Sequence, residues 1–493
     1  MASPKYSIKI HEHCRVAPLG ASSTHSSLPL SFFDLSWLRF HPVECTYFYP
    51  FPFPLENPSS YFFEKVVPRL KTSLSLTLQH FLPLAGNFVW PHDSETPIVK
   101  YTTLGDDEGV SLVIAESDAD FNHILNNSSS PHDDAIESRS FVPHLESSHS
   151  FAHVISLQVT LFQKSGFCIG ISTHHAFLDG KSAITFTKAW ASMCSSSLES
   201  SSPSLDPEFE PFFDRNVIKD PTGLNLYFTN NWSEVAKLFP PEDDDNNNNN
   251  ATRSLKILPF KPRVEDSIRA TFELTRTNLE NLKKRVLSKW DTVVIDDEVV
   301  FEELLKPQFL SSFVVACAYV SVSIAKAIHG IDKKKEKFAF SFTVDFRARL
   351  KPPIPANYFG NCVLGESVDT HPTDYIKEDG FVIVAKKFHN KLKKLDNEVV
   401  EDVVKNVVTK FTALASEGVE IIGIVGSNRF GMYGIDFGWG KPVKVDIASV
   451  DRSLVFSIID NKDGNGGIQV GLVLNKHVMD LFSTLFHAGL CIN

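Results

Sequence analysis

Between Phe151 and Phe162 (FAHVISLQVTLF) apolar and polar residues alternate with the two-residue period of a strand. Lys164-Ser165-Gly166 supplies turn residues and Phe167 to Ile171 resumes an apolar run, so the pattern predicts a hairpin. Its second strand ends in His174-His175. From Lys181 to Met193 the period changes: Ala183, Ile184, Phe186, Ala189, Trp190 and Met193 fall at helical spacing, which makes Asp179-Gly180 the turn before a helix. Further on, Leu310 to Ala327 reads as a helix, and Phe338 to Val344 and Val443 to Val450 as strands. Leu454 to Ile459 and Gly467 to Leu474 read as paired strands about an Asp463-Gly464-Asn465-Gly466 turn. Both halves therefore mix helices and strands, an α/β or α+β fold with mixed sheets.

Polar tracts punctuate this pattern at Asn126 to Ser129, Ser195 to Pro203 and Glu242 to Asn250 (EDDDNNNNN). The last is too polar to pack a core and reads as a connection. The expected division is a first domain over 1–205, a crossover over 206–265 and a second domain over 266–493. No uninterrupted apolar run of about 18 residues stands out, and Met1 to Val16 lacks a signal peptide's apolar centre. Seven scattered cysteines suit reduced thiols, so the expected location is the cytosol, with no membrane partner. The net charge of −11 argues against nucleic acid as a partner. It also means that any phosphate-rich ligand needs a local basic patch.

A histidine at a strand–helix junction is well placed to act as a general base, because rigid elements fix its ring while the loop leaves a nitrogen open. Yet 18 histidines make about one chance His-x-x-x-Asp match expected, so the pattern alone leaves a packed core histidine open. Other chemistries find little support. Gly180-Lys181-Ser182 lacks the upstream glycine of a phosphate loop, where His175 stands instead, and no Gly-x-Ser-x-Gly elbow occurs. His11-Glu12-His13-Cys14 has no second cluster to complete a metal site, and alternation over Ser7 to Val16 favours a strand there, so no metal is expected.

A second string, Asp436-Phe437-Gly438-Trp439-Gly440, lies far downstream. Together with His175-x-x-x-Asp179 it resembles the plant BAHD family of acyl-CoA-dependent acyltransferases. The resemblance spans nearly the whole chain: Phe32-Phe33-Asp34, Trp37-Leu38-Arg39-Phe40-His41, Leu70 to Gly86, Asp345-Phe346-Arg347 and Asn357-Tyr358-Phe359-Gly360-Asn361-Cys362. The first and last of these are most like the branch that acylates anthocyanin, flavonoid and other phenolic glucosides, often with malonyl groups.

The resemblance implies two chloramphenicol-acetyltransferase-like domains with the active site in a channel between them, working as a monomer. It implies no permanently bound cofactor, with acyl-CoA, and malonyl-CoA above all, as co-substrate. His175 is then the base. Asp179 turns from the imidazole to pair with Arg347, clipping the catalytic loop to the second domain. Asp436, Gly438 and Trp439 are structural. Lys283, Lys284, Ser311 and Ser312 are the candidates for holding CoA. Lys181 and Arg39 are candidates for a malonyl carboxylate, and Ser427 for the oxyanion. Two alternatives stay open: hydroxycinnamoyl transfer to a glycoside, alcohol or amine, and a non-catalytic CoA-fold binding protein.

Overall fold

The computed structural model describes residues 6–491 except 21–25, 53, 102–108, 127–132, 135–136, 164, 197–203, 238–252, 259–266, 294, 296–304 and 334–336. The Glu242 to Asn250 tract lies outside the described residues. Six strands form the first sheet, in the order Ile8–Val16, Val110–Ser117, Ile155–Phe162, Gly166–Thr173, Val43–Pro50 and Lys444–Ile447. The expected hairpin is at its centre, paired from Phe162 with Gly166 to Ile155 with Thr173. Its strands do not have one wet face, as alternation suggests, because every residue of both is buried. The alternating polar residues face other protein: Gln158 donates to the Thr160 hydroxyl and the Ser140 carbonyl. Gly170 is required on that face, since a Cβ there would lie 1.9 Å from the Phe141 carbonyl oxygen. Phe151–His153 forms a separate short strand in a four-stranded sheet with Ser26–Pro29, Ile98–Tyr101 and Asn87–Val89.

The second sheet has seven strands: Val363–Thr370, Phe338–Asp345, Glu420–Val425, Val455–Asp460, Ile468–Asn475, Ser267–Leu274 and Asp133–Asp134. The strands exchange across the halves of the chain. Lys444–Ile447 pairs with Val43–Pro50 in the first sheet, and Asp133–Asp134 pairs with Ser267–Leu274 in the second. The strand expected over Val443 to Val450 is shorter, and Ala448–Asp451 turns as a 3₁₀ helix. The paired strands about Asp463-Gly464-Asn465-Gly466 are present.

The helix expected at Leu310 to Ala327 spans Ser312–Ile331, with Ser311 Oγ accepting the Val314 amide as its cap. It is long and apolar enough to cross a membrane by length and composition, which Ser321, Ser323 and Lys326 obscure in the sequence. It is mostly buried inside the protein, packed by helices Gly380–Leu395 and Lys476–Leu490, and so is a core helix.

The Asp436 to Gly440 string folds as a loop around its own aspartate, whose Oδ1 accepts the amides of Gly438 at 2.7 Å and Gly440 at 3.0 Å. Arg69 donates to the Phe437 carbonyl at 2.9 Å and to the Cys194 carbonyl at 2.6 Å, and stacks on Trp439. Trp439 in turn donates to the Tyr61 hydroxyl. The loop thus seals the far end of helix Gly180–Ser196, about 20 Å from Asp179 at 1.5 Å per residue. Gly438 has φ +94° and Gly440 φ +93°, but only at Gly438 would a Cβ collide, 2.1 Å from Arg69 Nη2. Gly438→Ala is therefore expected to lower the thermal midpoint more than Gly440→Ala, which adds backbone strain of about 1 kcal/mol alone. Equal losses for both, measured by differential scanning calorimetry, would show that the Arg69 contact does not set the requirement.

Candidate active site

Strand Gly166–Thr173 ends where the His174 amide bonds the Val154 carbonyl at 2.8 Å. The chain then reverses, with the Phe177 amide on the His174 carbonyl. The two histidines diverge at this bend. His174 is fully buried against Phe88, and its Nδ1 accepts the Ala176 amide at 3.2 Å, so it holds the loop's shape. Burial pushes its pKa down to about 3. His175 is half-buried, its ring stacked face to face on Trp37 with centroids 4.1 Å apart and planes 10° apart. Phe40 meets the same ring edge-on at 5.7 Å. Nδ1 is buried and faces only the residue's own backbone carbonyl, which leaves Nε2 as the nitrogen able to meet a hydroxyl. Burial lowers this imidazole to about 4, against the pull of its own carbonyl and of Asp179, so it is neutral at pH 7.

Asp179 caps the helix that follows, its Oδ1 accepting the Ser182 amide at 2.9 Å. Its other oxygen turns away from the imidazole to Arg347 Nη1 at 2.7 Å and the Cys362 amide at 3.2 Å. Arg347 follows strand Phe338–Asp345, so the pair joins the loop of the first sheet to the second. Asp179 is 1% exposed and Arg347 4%. Burial alone would raise the Asp179 carboxyl, but the guanidinium and the two amides outweigh it and hold it below the ordinary carboxylate range. Arg347 Nη2 also donates to the Gly360 carbonyl at 2.9 Å.

A second buried pair adjoins the first and was not visible in the spacing of residues. Arg215 Nε lies 3.2 Å from Asp34 Oδ2 and its Nη1 donates to the Phe359 carbonyl. Asp34 Oδ1 accepts the Asn361 amide at 3.0 Å, and the Asn361 side chain donates to the His175 carbonyl at 2.7 Å. Residues 358–362 thus form a strip gripped by Asp34, Arg215, Asp179, Ser182 and Arg347, and the strip holds the catalytic loop by its backbone. The one local signal for Asp34 was Ser31-x-x-Asp34, which is a reciprocal capping box here.

The sequence profile of the Transferase family matches residues 6–488. Phenolic glucoside malonyltransferase 1 of Arabidopsis thaliana is 36% identical over 492 residues, covering 98% of each chain. The chain is a BAHD acyltransferase. Agmatine coumaroyltransferase of the same plant is 35% identical over 485 residues, covering 97% of this chain and 98% of its own. The crystal structure of vinorine synthase has the same fold, with a TM-score of 0.64 and 20% identity over 96% of each chain.

Enzymes of the BAHD family take acyl-CoA as co-substrate, and the remaining candidate residues fall in several places. Lys181 Nζ donates to the Ala356 carbonyl at 2.7 Å, bridging the helix start to the segment before the gripped strip. Arg39 is 2% exposed with Nε on the Lys256 carbonyl, so it braces two buried segments and is not an open cation. Ser427 Oγ accepts the Arg429 amide within its own turn. Phe430, in the same turn, packs where a Gly180 Cβ would be, which sets this turn against the start of the catalytic helix. Helices Arg276–Ser288 and Ser312–Ile331 pack together, with Arg285 facing Tyr319 and Lys326, so Lys283 and Lys284 lie beside the middle of the second helix and not its Ser311–Ser312 start. Lys283 pairs with Glu280, Lys284 is exposed, and among the described residues no hydrogen bond, ion pair or ring contact joins these four to His175. Much of the acidic stretch between them lies outside the described residues.

Asp179→Asn leaves Arg347 buried and half-paired, at an expected cost of about 3–5 kcal/mol. A double-mutant cycle with Arg347→Met, read by urea denaturation, should show coupling above about 0.5 kcal/mol; additive losses would mean the two residues act separately.

His41 and His174 are pushed to about 3 and His175 to about 4, chiefly by burial, all below the 6.5 of an exposed imidazole. Between those limits the unfolded chain binds more protons than the folded one, so stability is full above pH 6.5 and falls as the pH drops toward 4. The thermal midpoint should follow that limb, with His174→Gln flattening it. A midpoint unchanged from pH 7 to 5 would contradict burial of neutral rings.

Proposed function

We propose that this acyltransferase moves a malonyl group from malonyl-CoA to a sugar hydroxyl of a phenolic glucoside, with His175 as general base in a ternary complex. The observation that carries the chemistry is a neutral imidazole with Nε2 open, at the end of a buried strand, where the loops of two sheets meet. Nε2 takes the hydroxyl proton as the oxygen attacks the thioester carbonyl. The tetrahedral intermediate then collapses, expelling CoA thiolate, which takes the proton back from the imidazolium. The thioester is already activated, so no acyl-enzyme is needed. The substrate assignment rests on relatives named as malonyltransferases of phenolic glucosides and anthocyanins. Lys181 remains the proposed partner of the malonyl carboxylate: one of its three N–H donors is committed to Ala356, and the other two have no partner among the described residues.

The agmatine coumaroyltransferase relative supports hydroxycinnamoyl transfer to an amine as a second reading at almost the same identity. A thiol-release assay with malonyl-, acetyl- and coumaroyl-CoA against phenolic glucosides and agmatine separates the two. Malonyl-CoA with a glucoside should give the highest kcat/KM, and preference for coumaroyl-CoA with agmatine would replace the first reading by the second. His175→Ala should cut kcat by about 10²–10⁴-fold without changing CoA binding. Lys181→Ala should narrow the malonyl-to-acetyl ratio of kcat/KM by about tenfold or more. A His175→Ala enzyme with wild-type kcat would remove the base, and an unchanged ratio would remove Lys181.

A further inference from the structure

The imidazole of His175 lacks the usual device that aims a catalytic histidine. The nearest acidic group on its own loop, Asp179, is turned to Arg347 and to capping a helix, which leaves the buried Nδ1 only the residue's own backbone carbonyl. A ring held by that one local contact can still rotate about its side-chain bonds, and Nε2 would then sample directions useless for proton transfer. What does touch the ring is aromatic. Trp37 covers one face at 4.1 Å and 10°, closer and flatter than an incidental contact, and Phe40 abuts it at 87°.

Trp37 is itself anchored. Its indole Nε1 donates to the Val363 carbonyl at 3.2 Å, and its amide bonds the Asp34 carbonyl at 3.1 Å. Asp34 accepts the Asn361 amide, and the Asn361 side chain holds the His175 carbonyl. The Trp37 backbone and the His175 backbone are therefore linked through Asp34 and Asn361, so the indole and the imidazole keep register with each other. Trp37 arrives from the N-terminal segment, His175 from the central hairpin, and Val363 from the second sheet.

We propose that Trp37 is the positioning residue of His175, its indole face fixing the imidazole plane where other histidine bases use a carboxylate. This rests on His175 being the base, and it predicts a role for Trp37 in turnover and not in substrate binding. The titratable groups facing the ring are Asp179 across its loop, His174 beside it and His41 at the end of the Trp37 segment. Trp37 adds no charge to that set, and it keeps water from the ring face.

The test compares Trp37→Phe, which keeps a flat face, with Trp37→Leu, which fills space without one. Trp37→Leu should lower kcat by up to about 10²-fold with KM for acyl-CoA and acceptor within about twofold, while Trp37→Phe should recover most of the rate. Independently of activity, histidine-¹⁵N spectra should show the His175 titration, identified by its loss in His175→Ala, moving up by at least about one pH unit in Trp37→Leu and less in Trp37→Phe. Equal kcat in Leu and Phe variants, or a rise confined to acceptor KM, would overturn the proposal, as would an unmoved titration. Full activity of His175→Ala would instead sink the base assignment, and the titration would still decide whether the indole holds the ring. Should Trp37→Leu fail to fold, Trp37→Met supplies a flexible side chain without a flat face, with the same expected results.

Discussion

Two buried carboxylates and two buried guanidiniums must neutralise one another around a five-residue strip, and most of the site follows from that requirement. Asp34 and Asp179 are almost wholly out of water, and Arg215 and Arg347 are the cations paired with them. Each side chain also binds backbone of residues 358–362 or their neighbours, so the charges are not paired merely with each other. Such a set is an uncertain source of net stability, because desolvating four charges costs as much as their attraction returns. Its value lies in discrimination: any misaligned packing of the two sheets strands a charge in the interior. The register between the loop that carries His175 and the loop that carries Arg347 is fixed by that penalty.

The same commitment explains the state of the histidine. A carboxylate turned to cap a helix and to pair with an arginine presents neither oxygen to the imidazole. His175 is thus surrounded by rings and backbone, and its pKa falls. A base of low pKa is a weaker proton acceptor but is fully unprotonated at neutral pH. That compromise suits a reaction in which the thioester is already reactive and the base must also give its proton away to a thiolate.

How far this could be read from residues alone depended on sequence distance. His175, Asp179 and Arg347 were legible because short strings carry them, and the turn of Asp179 toward Arg347 came with the family resemblance. The hairpin and the helix after it followed from local periodicity. Arg215 was invisible because it sits in an irregular stretch, and its partners lie 181 and 144 residues away. Trp37 was noticed only as part of a string, since nothing in its neighbourhood says which ring it will stack on. Burial on both faces of Ile155–Phe162 was missed because serine, glutamine and threonine look like a wet face. Here they meet another layer of protein.

The strand Lys444–Ile447 has a consequence for how the molecule is made. It completes the edge of the first sheet beside Val43–Pro50, about four hundred residues earlier in the chain. During synthesis the N-terminal half leaves the ribosome with that edge bare, its backbone donors and acceptors open to any passing strand. Closure waits until residues 444–447 have been translated. A nascent chain stalled before residue 444 therefore carries an adhesive edge, open to mispairing until those residues arrive.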